Sequence, residues 1–312
     1  MSGAGGDVAM ARMAPRPVLG VGAMLGTTIM IPLMGLFVKL LHEYSIGPVE
    51  ILTVRSGLVL ALLLPALLIA ANVEALRRAH MPAHVWHAVF GLSSMACFYA
   101  ALAHLPLVTV TAINFTTPMF VSLLAIPVLG EKPDRASWIA IAVGFAGALI
   151  ILRPSAGSFD IFVLVILAGS LLGACMLIVV RRMPAASSNF AVLFIYAAVG
   201  SVAFGLAFAL FGGSTAAARL SHTAAWPLLI ALSLVALAMQ LLLTLAYRLA
   251  PSTAVGGLDY LRLLWAGLLG WLVFAEIPDR WDLVGMVLIM ASGLAILVRQ
   301  ARTKPPPPAD AV

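Results

Sequence analysis

The chain has 312 residues, of which 63% are hydrophobic and 10% are charged. A water-soluble globular chain is about half apolar and about one-quarter charged, so a soluble enzyme, a coiled coil and a disordered protein are all excluded, and a polytopic membrane protein remains. The formal net charge of +6 matters less than where the basic residues fall.

An α-helix crosses the roughly 30 Å hydrocarbon core with about 20 apolar residues. The apolar runs here are continuous rather than alternating, which argues for helices over strands. In chain order the first run is Val18–Leu41, too long for the apolar core of a signal peptide. Pro48–Ala71 follows, then Val85–Ala103 and Leu107–Leu129, parted only by a His104-Leu105-Pro106 corner. Ser137–Leu152 comes after the charged turn Glu131-Lys132-Pro133-Asp134-Arg135, whose simplest role is to stop and cap a helix. The second half brings Ile161–Val180, Phe190–Phe211, Trp226–Tyr247, Ser252–Ala275 and Leu283–Val298. Proline, glycine or a charge cluster marks each interruption. Residues 1–17 and 299–312 read as tails; the latter holds Pro305–Pro308, has no core to join and is expected to be disordered. Cys97 and Cys175 lie inside apolar runs, which suits small buried hydrophobes and supplies neither a disulfide framework nor a metal site.

Lys and Arg near helix ends resist translocation. With the N-terminus placed in the cytoplasm, Arg12, Arg16, Arg77, Arg78, Lys132, Arg135, Arg181, Arg182, Arg248, Arg299, Arg302 and Lys304 fall inside, and only Arg153, Arg219 and Arg280 outside. Both termini are therefore expected in the cytoplasm. Basic residues scattered over helix ends form no continuous patch, so nucleic acid is not an expected partner.

A shift of 145 residues overlays the two halves without a gap. Pro106 falls on Pro251, Glu131 on Glu276, and Pro133-Asp134-Arg135 on Pro278-Asp279-Arg280. The unit holds five spans, an odd number, so the second copy must enter the membrane upside down. The expected fold is thus an all-α membrane protein: ten transmembrane helices as two inverted five-helix repeats, residues 18–152 and 161–298. Such repeats are an architecture of secondary transporters, in which exchanging the conformations of the two halves opens a shared site to each side in turn.

Polar groups at membrane depth face the protein interior or a cavity. Thr111, Asn114 and Thr117 recur every three residues and share one helix face. The same shift carries them to Gly256, Asp259 and Arg262, a face that continues through the small residues Ala266 and Gly270. Met95 and Tyr99 map likewise to Gln240 and Thr244. The candidate substrate-binding residues are therefore Arg55, Tyr99, Thr111, Asn114, Thr117, Gln240, Thr244, Asp259 and Arg262, with Asp259 the candidate for proton coupling. Asp259 and Arg262, three residues apart, could equally be a structural ion pair. Arg55 is deep in its span, with Glu50 an imperfectly spaced partner, whereas Lys39 can snorkel to the interface. Neither a GxxxxGK[ST] phosphate loop nor HExxH nor GxSxG occurs, so no catalytic residue, metal or cofactor is expected.

Lys39, Pro48-x-Glu50 through Arg55, the stretch from Tyr99 through Pro106 and Asn114 to Pro118, the Leu129-Gly130-Glu131-Lys132 turn, and Gly144 with Gly147 together carry a family resemblance. From Val18 to Val298 the chain resembles the EamA-type carriers of the drug/metabolite transporter superfamily, and looks most like the subgroup with bacterial S-adenosylmethionine and riboflavin carriers. The resemblance implies a central cavity lined by helices one, three, four, six, eight and nine. It also implies a bacterial-type inner-membrane location and homodimer contacts through helices five and ten. One departure is Ala275 where the first repeat has Gly130, which leaves the end of span nine open. The leading function is a secondary, ATP-independent carrier of small organic metabolites working by alternating access. Its expected role is export or exchange of amino-acid- or nucleoside-like compounds such as S-adenosylmethionine. A non-transporting receptor or assembly subunit, or an intramembrane lipid-modifying enzyme, is the alternative.

Overall fold

The computed structural model describes residues 17–130, 135–152, 160–183, 188–212, 220, 223–249 and 258–302. Helix α1 spans Pro17–Glu43 and α2 spans Pro48–Leu63, with Pro48 at its start, where a missing N–H costs nothing. A 3₁₀ segment, Leu64–Leu68, and a short polar helix α3, Ala70–Arg77, lead to α4, Met81–Leu102. The expected second span thus loses its α-helical form at Leu63, just ahead of Pro65, and the loop behind it is helical.

The fourth expected span is two helices. Helix α5, Leu107–Asn114, ends at a turn over Phe115 and Thr116, and α6, Thr117–Leu129, resumes. Pro118 forces the break, because it has no N–H to give the Asn114 carbonyl. The Thr117 hydroxyl donates to that carbonyl instead, at 2.7 Å, and the Thr116 hydroxyl donates to Ile113 O.

Helices α7, Arg135–Leu152, α8, Ile161–Arg182, and α9, Asn189–Ala207, follow; α9 runs into a π-helical turn, Phe208–Gly212. Asp160 caps α8 by accepting from the Phe162 N–H at 2.9 Å. Helices α10, Trp226–Leu249, α11, Leu261–Phe274, and α12, Arg280–Arg302, complete the described chain. Residues 299–302, expected to be disordered, instead extend α12. Nothing before Pro305 breaks a helix, and proline disfavours the α conformation at the residue before it.

No strand occurs among the described residues. Among the described residues seven helices are long and apolar enough to cross a bilayer, among them Val18–Glu43, Leu107–Leu129 (α5 and α6 together) and Trp226–Ala246; Arg135–Ile151 and Leu261–Phe274 are shorter apolar helices. The outer surface agrees with a lipid setting. Leu68, Val202, Phe211 and Leu264 are well exposed, as are Trp86, Trp138, Trp271 and Trp281. So much exposed apolar surface would aggregate in water. The chain is an integral membrane protein.

Packing joins early segments to late ones. The most extensive pairings are α4 with α8, α7 with α12, α1 with α10, and α2 with α9. Further contacts join α8 to α6 and α5, α11 to α1 and α5, α9 to α4, and α10 to α2. Small residues permit the close crossings, as expected where lipid offers no hydrophobic drive. A Cβ on Gly147 would sit 2.7 Å from Gly285 O, and one on Gly285 2.6 Å from Gly147 O, so α7 and α12 touch backbone to backbone. Ser292 on α12 donates to Ala140 O on α7. The core between these layers holds Leu102, Leu107, Ile113, Met119 and Ile166, all fully buried.

Candidate functional site

Three polar clusters lie inside this apolar assembly. The first surrounds the break between α5 and α6 and the turn that precedes α11. Leu258 is helical, Asp259 and Tyr260 form a turn, and α11 begins at Leu261. That turn meets the break at Phe115–Thr116. The rings of Phe115 and Tyr260 stack at 4.8 Å and 11°, and the Arg262 guanidinium lies over the Phe115 ring, 4.2 Å from its centroid. Asp259 Oδ2 pairs with Arg262 Nη2 at 3.2 Å, with both side chains partly accessible. Tyr260 also reaches α12, where its hydroxyl occupies the space a Cβ on Gly293 would need. Asn114, at the end of α5, is half-buried beside the break. Thr111 is fully buried and its hydroxyl donates to Leu107 O at 2.8 Å, while the Thr117 hydroxyl serves Asn114 O. Both threonines therefore satisfy their own helix backbone. Gly256, the counterpart of Thr111, lies outside the described residues.

The second cluster is built by α2, α4 and α9. Arg55 is 8% exposed and its Nη1 lies against Met95 Sδ. Its Nε and the hydroxyl of Tyr99, a residue 2% exposed, have no hydrogen-bond partner. Tyr196, which the sequence did not single out, lies within electrostatic reach of both Arg55 and Tyr99. Gly91 makes room for it: a Cβ there would be 2.8 Å from the Tyr196 ring and 3.3 Å from its hydroxyl. The His87 ring is 5.7 Å from that of Tyr196.

The third cluster was not legible. Lys39, near the end of α1, does not snorkel. It forms an ion pair with Glu276 and donates to Leu105 O at 3.0 Å. The other Glu276 oxygen accepts the Leu107 N–H at 2.8 Å, so this carboxylate caps α5. Glu276 is held there because α11 ends in a left-handed residue, Ala275, at φ 52°, matching Gly130 at φ 70° at the end of α6. The alanine thus leaves the helix end where the glycine would put it. Gly270 provides the space, since a Cβ there would lie 2.9 Å from Glu276 Oε2. Glu131, the first-half counterpart, lies outside the described residues.

Gln240 and Thr244 are half-buried on α10, the helix packed against α1 and α2. The structure therefore places Asp259 and Arg262 against the α5–α6 break that Asn114 borders, and Arg55 with Tyr99 on α2 and α4. Among the described residues no group of three or more His, Cys, Asp or Glu is placed to hold a metal.

Comparison with known proteins agrees with this architecture. The model of the EamA-like transporter family matches residues 18–153. The pseudopaline exporter CntI of Pseudomonas aeruginosa is 31% identical over 257 residues, covering 82% of this chain and 86% of its own. A riboflavin transporter of Rhizobium johnstonii is 31% identical over 237 residues, covering 74% and 75%. An S-adenosylmethionine uptake transporter of Rickettsia bellii is 26% identical over 225 residues, covering 70% and 73%. A solved crystal structure of 18% identity overlays with a TM-score of 0.58, covering 92% of this chain and 98% of the other, and supports the fold alone. On these grounds the chain belongs to the EamA-like transporter family and is a membrane transporter of small molecules.

Proposed function

We propose that the protein is a secondary carrier that moves small organic metabolites by alternating access, without ATP and without catalytic chemistry of its own. In this reading ten membrane-crossing segments form two inverted five-helix repeats, residues 18–152 and 161–298. The substrate meets Arg55, Tyr99, Asn114, Asp259 and Arg262, with Thr111, Thr117, Gln240 and Thr244 lining its path. Both termini face the cytoplasm of a bacterial-type inner membrane. The solute class is amino-acid- or nucleoside-like, of the kind named for the S-adenosylmethionine relative, and the net direction is export or exchange. The exposed faces of α7 and α12 offer a homodimer contact.

The observation that carries this reading is a pairwise exchange of contacts. Under the 145-residue shift, the α1–α10 pairing becomes α8–α4, α6–α8 becomes α11–α1, and α4–α9 becomes α10–α2; each is present. The α2–α9 and α7–α12 pairings map onto themselves. The same holds at residue level. Phe115 stacks on Tyr260, its own counterpart. The Gly147–Gly285 contact maps onto Ser292–Ala140, which is also made. Two halves so related could exchange conformations at similar energy, which is what alternating access requires.

The experiment is transport by liposomes containing only the purified protein, screened with S-adenosylmethionine, amino acids, nucleosides and riboflavin. Solute movement that follows its own gradient and needs no ATP is expected. A folded protein that moves none of them would refute the proposal.

A further inference from the structure

Lys39, Arg55 and Arg262 lie within the spans, and they are not equivalent. Lys39 has Glu276 and Arg262 has Asp259. Arg55 has no ion pair among the described residues; its Nη1 meets the Met95 thioether, a weak acceptor, and its Nε has no hydrogen-bond partner there. A guanidinium stays protonated in proteins and presents five N–H donors in a planar fork. At a site 8% exposed on a membrane-spanning helix, leaving the Nε donor of such a fork without a partner is costly. The Tyr99 hydroxyl, buried and without a partner, doubles the anomaly on the neighbouring helix. A monoanionic acceptor bound between α2 and α4 would satisfy both donors.

Resting on the carrier reading above, we infer that Arg55 and Tyr99 form a subsite for a carboxylate of the transported solute, with Tyr196 as its aromatic flank. The guanidinium fork takes the two carboxylate oxygens, the Tyr99 hydroxyl donates a third hydrogen bond, and the flexible Met95 side chain yields its place. A bidentate pair of this kind is the strong, geometry-selective form of the interaction. One guanidinium and one phenol balance a single negative charge, which favours a carboxylate over a doubly charged phosphate. The ring of Tyr196, seated between Gly91 and His87, gives the solute an apolar wall beside its charged end.

The test uses the full-length protein in liposomes and matched probes: S-adenosylmethionine, histidine and phenylalanine, each beside its decarboxylated form, with inorganic phosphate as a further competitor. At least one carboxylate is expected to be transported, with its decarboxylated form and phosphate at least about tenfold weaker as competitors. Arg55→Gln is expected to abolish that preference and Arg55→Lys to retain part of it. Should Arg55→Gln fail to fold, Arg55→Lys and Tyr99→Phe carry the test, and each must weaken the preference. Equal handling of acid and decarboxylated form, a preference for phosphate, or a preference untouched by the variants overturns the inference. Transport confined to neutral or cationic solutes would leave the carrier reading standing and remove this subsite. A folded protein that moves nothing would remove both.

Discussion

Replacing Glu276 by Gln removes one charge from a junction of three helices. The carboxylate neutralises Lys39 of α1 and accepts the Leu107 N–H at the start of α5, while itself ending α11. The amide oxygen of Gln can still take one of these donors, but Lys39 is left with the Leu105 carbonyl and no counter-charge. A fully buried pair broken on one side costs about 3–5 kcal/mol, and an exposed pair is worth less than about 1 kcal/mol. The two side chains are 16% and 15% exposed, so the loss lies between these limits, at about 2–3 kcal/mol. That is a large share of a typical 5–15 kcal/mol folding stability. Thermal unfolding of the detergent-solubilised protein, followed by intrinsic tryptophan fluorescence, should show a midpoint lowered by several degrees. The double variant Lys39→Met with Glu276→Gln should recover more than half of the loss, because no uncompensated charge remains. If Glu276→Gln unfolds like the unaltered protein, or if the double variant simply sums the two single losses, the pair does not hold α1, α5 and α11 together.

Three further outcomes are expected. Ala275→Gly should stabilise the protein by about 1 kcal/mol, since the left-handed conformation at φ 52° disfavours a Cβ; a lowered unfolding midpoint would contradict this. Gly147→Leu should abolish monodisperse elution after detergent extraction, because its Cβ would lie 2.7 Å from a backbone oxygen of α12 that cannot move aside. Asp259→Asn should lower the transport rate at least about tenfold through loss of the charge facing Arg262, measured in liposomes; an unchanged rate and unchanged pH dependence would remove Asp259 from the mechanism.

Much of the fold could be read from the sequence because prolines, glycines and charges sit where helices start and stop. Pro48, Pro106 and the pair Arg181-Arg182 mark helix ends that the structure keeps. The break within Leu107–Leu129 was hidden, because an uninterrupted apolar run gives no compositional sign and only Pro118 hints at the carbonyl left over. The short helix α3 was hidden for the opposite reason: it is polar and reads as loop. Local polar pairs such as Asp259 and Arg262 were legible from spacing alone, since residues three apart share a helix face. The Lys39–Glu276 pair was not, as its partners are 237 residues apart and only the folded chain joins them. One clue pointed toward it: Glu276 recurs as the counterpart of Glu131. Tyr196 carried no sequence signal, because its importance comes from Gly91 opposite it on another helix.

The central claim is that the two halves enter the membrane with opposite polarity. Arg135 and Arg280 begin α7 and α12 and are both exposed equivalents under the 145-residue shift. Single cysteines at these positions, in a background without Cys97 and Cys175, can be tested with a membrane-impermeant thiol reagent on sealed vesicles of known orientation. Arg135→Cys is expected to react only from the cytoplasmic side and Arg280→Cys only from the opposite side. Labelling of both from one side would contradict it.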